Sequence, residues 1–190
     1  MNFTLRSHVF NLPNTLSLIR VFLAPLVLLF LSLRIDIPVT SRIPDLSWGN
    51  VLAALVFIIA SLTDAFDGYI ARKYKLVTTL GKFIDPLADK VLVIAAMLAL
   101  IERNRLPAWI VMVIITREFI VTGLRLVAAA EGVVIAASKG GKLKTCCQIT
   151  ALIMLILNIP YAMIVMWIAM ILTVWSGMEY LIEGSRIITG

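Results

Sequence analysis

Long apolar runs broken by short polar stretches dominate this chain. The runs cover residues 16–33, 48–70, 81–101, 108–130, 143–157 and 161–182. Most approach the ~20 residues that a helix needs to cross a hydrocarbon layer. The pattern predicts six helices. Pro13, Asn14 and Thr15 open the first, as helix-starting and capping residues do. The breaks are 34–48, a basic turn at 72–80, a loop from Glu102 to Pro107, a loop at 131–144, and Asn158 with Pro160. Ahead of the first run, residues 1–13 interleave Phe3, Leu5, Val9, Phe10 and Leu12 with Arg6 and His8. That mixture suits a short amphipathic helix on a membrane surface. The first run continues without a small-residue cleavage site, so it predicts a span and not a removed leader.

Composition supports lipid as the main solvent. Of 190 residues, 61% are hydrophobic, and the mean hydropathy is +1.01, well outside the range of soluble domains. The expected fold is an all-α integral membrane protein, a single membrane domain over 1–190 with six transmembrane helices. The formal charge is +6. Its basic residues are scattered between apolar spans, which argues for loops beside anionic lipid and against a nucleic-acid surface. Six spans put both termini on one side, with Arg6, Arg72, Lys73, Lys75, Lys82, Lys139, Lys142, Lys144 and Arg186. The opposite loops carry Arg34, Arg42, Arg103 and Arg105. The excess places both termini in the cytoplasm. The cysteines, Cys146 and Cys147, are adjacent and indicate no disulfide framework; their role is not legible.

Charge inside the apolar frame is where chemistry is expected. Asp64 and Asp67 are three apart at the end of the second run; Asp85 and Asp89 are four apart at the start of the third. Each pair shares a helix face. Four carboxylates brought together across a tight hairpin near a membrane require a neutralising cation. Clustered hard oxygens suit two divalent ions, Mg²⁺ or Mn²⁺, giving a polar metal site at the cytoplasmic side. Gly68 and Ala71, a turn apart, leave a small-residue surface that a ligand could approach, although helix packing uses such residues too. Arg20, Arg117, Glu118 and Arg125 lie within apolar runs. Arg117 and Arg125, eight apart, return to nearly the same face. Lys139, Lys142 and Lys144 stand in a glycine-containing loop. Metals beside many cations invite a phosphate-rich ligand. Glu179, Glu183 and Arg186 read as a structural ion pair.

The pattern Asp64-x-x-Asp67-Gly68-x-x-Ala71-Arg72, eight residues, Gly81-x-x-x-Asp85-x-x-x-Asp89 resembles the signature of the CDP-alcohol phosphotransferases, with every signature position filled. The resemblance implies a membrane enzyme, typically a homodimer, that moves a phospho-alcohol from a CDP-linked donor to an acceptor hydroxyl and releases CMP. Arg117-Glu118-Phe119-Ile120-Val121, Leu124-Arg125, and 138–145 with Gln148 are similar to the branch that uses CDP-diacylglycerol as donor and sn-glycerol 3-phosphate as acceptor. So is 12–17 with Arg20. By the same resemblance Asp64, Asp67, Asp85 and Asp89 are metal ligands, and Asp89 is also the general base. Asn14, Thr15, Gly68, Ala71, Arg72 and Thr78 would bind the CDP donor. Arg117, Arg125, Lys139 and Lys144, with Arg20 and Lys142, would hold the acceptor phosphate. The implied setting is a bacterial inner membrane with the site facing the cytoplasm.

Two other readings compete. One keeps the fold and donor and changes the acceptor to serine, inositol phosphate or phosphatidylglycerol. The other is a cation transporter that uses the aspartates as an ion path. Acidic residues clustered at one membrane face, without an internal repeat, speak against the transporter.

Overall fold

A computed structural model describes residues 12–33, 37, 39, 46–73, 79–130 and 139–189, with side chains over 18–33, 46–63, 87–88, 90–129 and 140–182 and at 37 and 39. The expected amphipathic segment falls mostly outside these residues. The described chain is all helical, in six helices: α1 Leu12–Ser32, α2 Trp48–Lys73, α3 Thr79–Glu102, α4 Ala108–Ala130, α5 Lys139–Ile156 and α6 Ala162–Thr189.

The helix ends follow local chemistry. Ser47 caps α2, its Oγ accepting from Asn50 N at 3.3 Å, which satisfies one orphan donor of the first turn. At the end of α5, Asn158 takes φ 55° and Ile159 N donates to Met154 O at 2.8 Å. This is a Schellman closure with Asn in the left-handed position, so Asn158 breaks the helix as expected. Asn104 likewise takes the left-handed conformation after α3, with φ 55°. Hydroxyls within the apolar helices bond their own preceding turn: Thr63 to Ile59 O at 2.7 Å, Thr122 to Glu118 O at 2.7 Å and Thr173 to Ala169 O at 2.6 Å. Such bonds satisfy a hydroxyl where no water is at hand.

One sequence expectation is corrected. Residues 139–144 are not loop, because α5 begins at Lys139. The two glycines were the reason to expect a bend. At a helix start, however, the first amides have no intrahelical partner to lose, and Lys142 and Lys144 are good helix formers. Thr145 Oγ1 bonds Gly141 O at 3.0 Å, as in a regular helical turn.

The helices group into two compact units, one holding α1–α3 and the other α4–α6. In the first, α1 packs along both α3 and α2, while described residues of α2 and α3 touch each other only sparingly. Ser32 Oγ donates to Glu102 Oε2 at 2.6 Å, and Arg103 Nε donates to Leu31 O at 2.7 Å. The C-terminal ends of α1 and α3 therefore meet, and the two helices run parallel. The buried stripe of α1 is Arg20, Ala24, Val27 and Leu31. Those of α2 and α3 are Ala53, Phe57 and Ala60, and Ala88, Leu92, Ala96 and Ala99.

In the second unit α4 and α6 pack together and also run parallel. Trp109 meets Trp167 edge-on at 5.2 Å between centroids, and Val121 clusters with Tyr180 further along. Arg105 Nη1 reaches Leu155 O at 3.3 Å, bonding a last-turn carbonyl of α5. Within α6, Ala162–Ile182 is long and apolar enough to cross a membrane. Ile164, Trp167, Ile171, Trp175, Met178 and Ile182 are exposed along it, an apolar surface far larger than water-soluble monomers present.

Candidate active site

The four signature aspartates lie on helical backbone, two near the end of α2 and two near the start of α3. Their side chains lie outside the described residues, but their register is informative. Seven residues return to within about 20° of the same direction on a helix. Asp64 is seven beyond Phe57 and Asp67 seven beyond Ala60, both fully buried. Asp85 is seven before Leu92 and Asp89 seven before Ala96, also buried. All four positions thus continue the stripes by which α2 and α3 form their unit. A donor set of four carboxylate positions on two such stripes fits divalent cations. Gly68 falls in line with Asp64 and Ala71 one turn beyond it. Arg72 lies in the final turn of α2. Thr78 lies outside the described residues, and so do the side chains of Asn14 and Thr15, which sit in the first turn of α1.

Arg20 belongs to this unit. It is 1% exposed and lies on the buried stripe of α1. Counting back equally along the parallel helices from the Ser32–Glu102 contact brings Arg20 level with Asp89 and Lys90. A charge buried this deeply needs opposite charge or hydrogen bonds around it. The sequence alone grouped Arg20 with the acceptor cations; the fold places it in the aspartates' own unit.

The other cations lie in the second unit. Arg117 is held against α6: Nε donates to Thr173 O at 3.1 Å and Nη2 to Ser176 Oγ at 2.8 Å. Nη1 donates to Glu118 Oε1 at 3.2 Å, and the guanidinium carbon lies 5.6 Å from the Tyr180 ring centroid, within cation–π range. Lys144 is 6% exposed. Its ammonium bonds the same Glu118 oxygen and stands 3.5 Å from Gln148 Oε1. Arg125 and Lys142 are exposed, and the side chain of Lys139 lies outside the described residues. The expectation that Arg117 and Arg125 share a face is corrected. Eight residues leave them about 80° apart, enough to turn one into the α4–α6 contact and leave the other outside it. Cys146 and Cys147 are both free thiols.

Sequence reasoning gave no role to Glu118, Thr173, Ser176, Gly177 or Tyr180. A faint signal existed: Thr173, Ser176 and Gly177 put small and polar residues at three- and four-residue spacing on an otherwise apolar helix, a pattern that marks close helix contacts in membranes. What they contact could not be read, since their partner lies more than fifty residues earlier.

One unit carries four aspartate positions in register on two helices, and the other encloses arginine and lysine among apolar helices, a charge pattern that fits a membrane-associated phosphotransferase. The family model for CDP-alcohol phosphatidyltransferase matches residues 10–175, and the chain belongs to that family. It is 45% identical over 183 residues to the CDP-diacylglycerol–glycerol-3-phosphate 3-phosphatidyltransferase of Bacillus subtilis, a match covering 90% of this chain and 94% of that protein. It is 39% identical to the protein of the same name from Rickettsia typhi, over 90% of this chain and 94% of the other. With a probable phosphatidylglycerophosphate synthase of Mycobacterium tuberculosis it shares 38% identity, over 97% of this chain and 87% of its relative.

Proposed function

We propose that this chain transfers the phosphatidyl group of CDP-diacylglycerol to sn-glycerol 3-phosphate, giving phosphatidylglycerol phosphate and CMP. The observation that carries this reading is near-full-length similarity to enzymes named for that reaction. The alternative acceptors and the cation transporter find no support beside it.

Asp64, Asp67, Asp85 and Asp89 would hold two divalent cations, Mg²⁺ or Mn²⁺. When bound, these neutralise the donor's diphosphate and polarise its phosphoryl oxygens. The protein's own groups do the rest. Asp89 accepts the proton of the glycerol phosphate hydroxyl. The hydroxyl oxygen attacks the phosphorus that bears the diacylglycerol. A bond forms there as the bond to the bridging oxygen breaks, and CMP leaves with that oxygen. Arg20, buried level with Asp89, supplies fixed positive charge to the carboxylates, a role that suits its burial better than gripping the acceptor. Gly68, Ala71 and Arg72 form the donor face, with Asn14, Thr15 and Thr78 contributing at the nucleotide end. Arg117 and Lys144 hold the acceptor phosphate, with Lys139, Lys142 and Arg125 drawing it in by long-range attraction.

The six helices would all cross a cell membrane, as a homodimer, with both termini and the site on the cytoplasmic side. An amphiphilic donor and a water-soluble acceptor require such a boundary site. The test is a panel of acceptors offered to the purified protein with CDP-diacylglycerol and Mg²⁺, read by the lipid product. Phosphatidylglycerol phosphate should form from glycerol 3-phosphate. Product from serine or inositol phosphate, with none from glycerol 3-phosphate, would refute the acceptor assignment.

A further inference from the structure

The cations of the second unit are not independent side chains. One oxygen, Oε1 of Glu118, accepts from both Arg117 Nη1 and Lys144 Nζ. Two nitrogens bonded to one atom are at most about two hydrogen-bond lengths, ~6 Å, apart. That is close enough for both to reach one tetrahedral anion. The geometry also fixes which donors Arg117 has left. A guanidinium carries five N–H groups. Thr173, Ser176 and Glu118 occupy one on each nitrogen, which leaves one on each terminal nitrogen. Guanidinium N–H groups make strong charge-assisted bonds to phosphate oxygens.

Arg117 reaches this position only because residue 177 is glycine. A Cβ at Gly177 would stand 2.9 Å from Arg117 Cγ and 3.3 Å from Nε, nearer than carbon atoms pack. The side chain lies across the α6 backbone where a larger residue would lift it off Thr173 and Ser176. Gly123, on the facing partner helix α4, has nothing within 4 Å of the same position. The close approach is therefore particular to residue 177 of this pair.

We propose that Glu118 and Gly177 are positioning residues for the acceptor phosphate. Glu118 sets the spacing of the Arg117 and Lys144 nitrogens. Gly177 is the cradle that lets Arg117 lie against α6 with one N–H left on each terminal nitrogen for the phosphate. The inference rests on the reading that Arg117 and Lys144 bind that phosphate. It adds that their affinity is set by two residues that do not touch the substrate. A purely structural network would make the same contacts, so the test must read acceptor binding separately from folding.

The experiment follows CMP release by the purified full-length protein at saturating CDP-diacylglycerol and Mg²⁺, with glycerol 3-phosphate varied. Gly177→Ala and Glu118→Gln should each raise KM for glycerol 3-phosphate about tenfold, with kcat and the KM for CDP-diacylglycerol within about twofold, the signature of lost ground-state binding. Gly123→Ala should match the parent. Glu118→Gln combined with Lys144→Met should raise KM by less than the product of the single effects, because both act through one contact. Arg117→Gln separates the two levels of the argument. If it raises KM while Gly177→Ala and Glu118→Gln do not, the positioning role is overturned and the acceptor reading stands. If Arg117→Gln leaves KM unchanged, the acceptor reading itself fails. A fall in melting temperature and kcat with unchanged KM in Gly177→Ala would mark a structural network and overturn the proposal. Should Glu118→Gln not fold, Gly177→Ala decides alone, since it adds one methyl and removes no charge.

Discussion

The two helical units hold their charge in opposite ways. In α1–α3 the charged positions continue apolar stripes: Asp64 follows Phe57, and Asp85 precedes Leu92, at the seven-residue step of one helix face. In α4–α6 the charges are paired across helices. Arg117 of α4 is tied to Thr173 and Ser176 of α6, and Lys144 of α5 is tied to Glu118 of α4. The first arrangement puts carboxylate positions in line with buried residues, where a carboxylate needs compensating positive charge. The second sets one carboxylate, Glu118, between two cations and so keeps a net positive charge. The expected consequence is that substitutions in the first unit strike turnover and metal binding, and substitutions in the second strike acceptor affinity.

Removing one of the carboxylates proposed to hold the metal should have the largest effect. Bound cations of this type supply several kcal/mol of transition-state stabilisation, so Asp64→Asn or Asp85→Asn should lower kcat about a thousandfold or more. Mn²⁺ binding, followed by electron paramagnetic resonance, should weaken in parallel. Full metal affinity in an inactive Asp64→Asn protein would break the assignment of that unit.

Asp89→Asn sharpens the same contrast within the unit. A positioned general base contributes about 10²–10⁴-fold, so turnover should fall within that range. If Asp89 is the base as well as a ligand, kcat should drop further, relative to the loss of Mn²⁺ affinity, than in Asp85→Asn. Equal ratios in the two variants would reduce Asp89 to a ligand alone.

The contrast also explains what could be read from the sequence. The aspartate pattern is local. Its spacing is set by one helix turn on either side of a short connection, so the helical register of Asp64, Asp67, Asp85 and Asp89 was legible in the sequence. The six helices were legible for the same reason, since apolar run length is a local property. Long-range partners were not. Nothing near Arg117 in the chain announces Ser176 or the absent side chain at Gly177. Nothing near Arg20 says that it stands level with Asp89, a relation that depends on α1 and α3 running parallel. The start of α5 was misread because glycine signals a bend in mid-chain and costs little at a helix start.

Arg20 tests whether burial in the first unit is electrostatic. Taking away one partner of a buried charge group costs about 3–5 kcal/mol, so Arg20→Met should lower the thermal stability of the metal-free protein markedly. Arg125→Met, exposed in the second unit, should stay within about 0.5 kcal/mol of the parent. Saturating Mg²⁺ should recover part of the loss in Arg20→Met, since the ions replace some of the missing positive charge. Equal stability of the two variants would remove Arg20 from the aspartate environment.

A smaller effect than at Arg20 is expected at the helix ends away from the charged centres. Arg103 and Arg105 counted in the sequence as loop cations on the outer side. In the fold they bond the last-turn carbonyls Leu31 O and Leu155 O, at 2.7 and 3.3 Å. Cations there complement the negative end of the helix dipole and satisfy carbonyls that have no intrahelical donor. Replacing either by alanine should cost about 1.5–3 kcal/mol of stability for the charged hydrogen bond to the helix end, and Arg103→Ala should cost more because its bond is the shorter. Neither change should move KM for glycerol 3-phosphate or the affinity for Mn²⁺. A rise in KM with Arg105→Ala would mean that the second unit couples its far end to the Arg117–Glu118–Lys144 cluster. The separation between helix-end cations that hold the fold and mid-helix cations that hold a ligand would then fail.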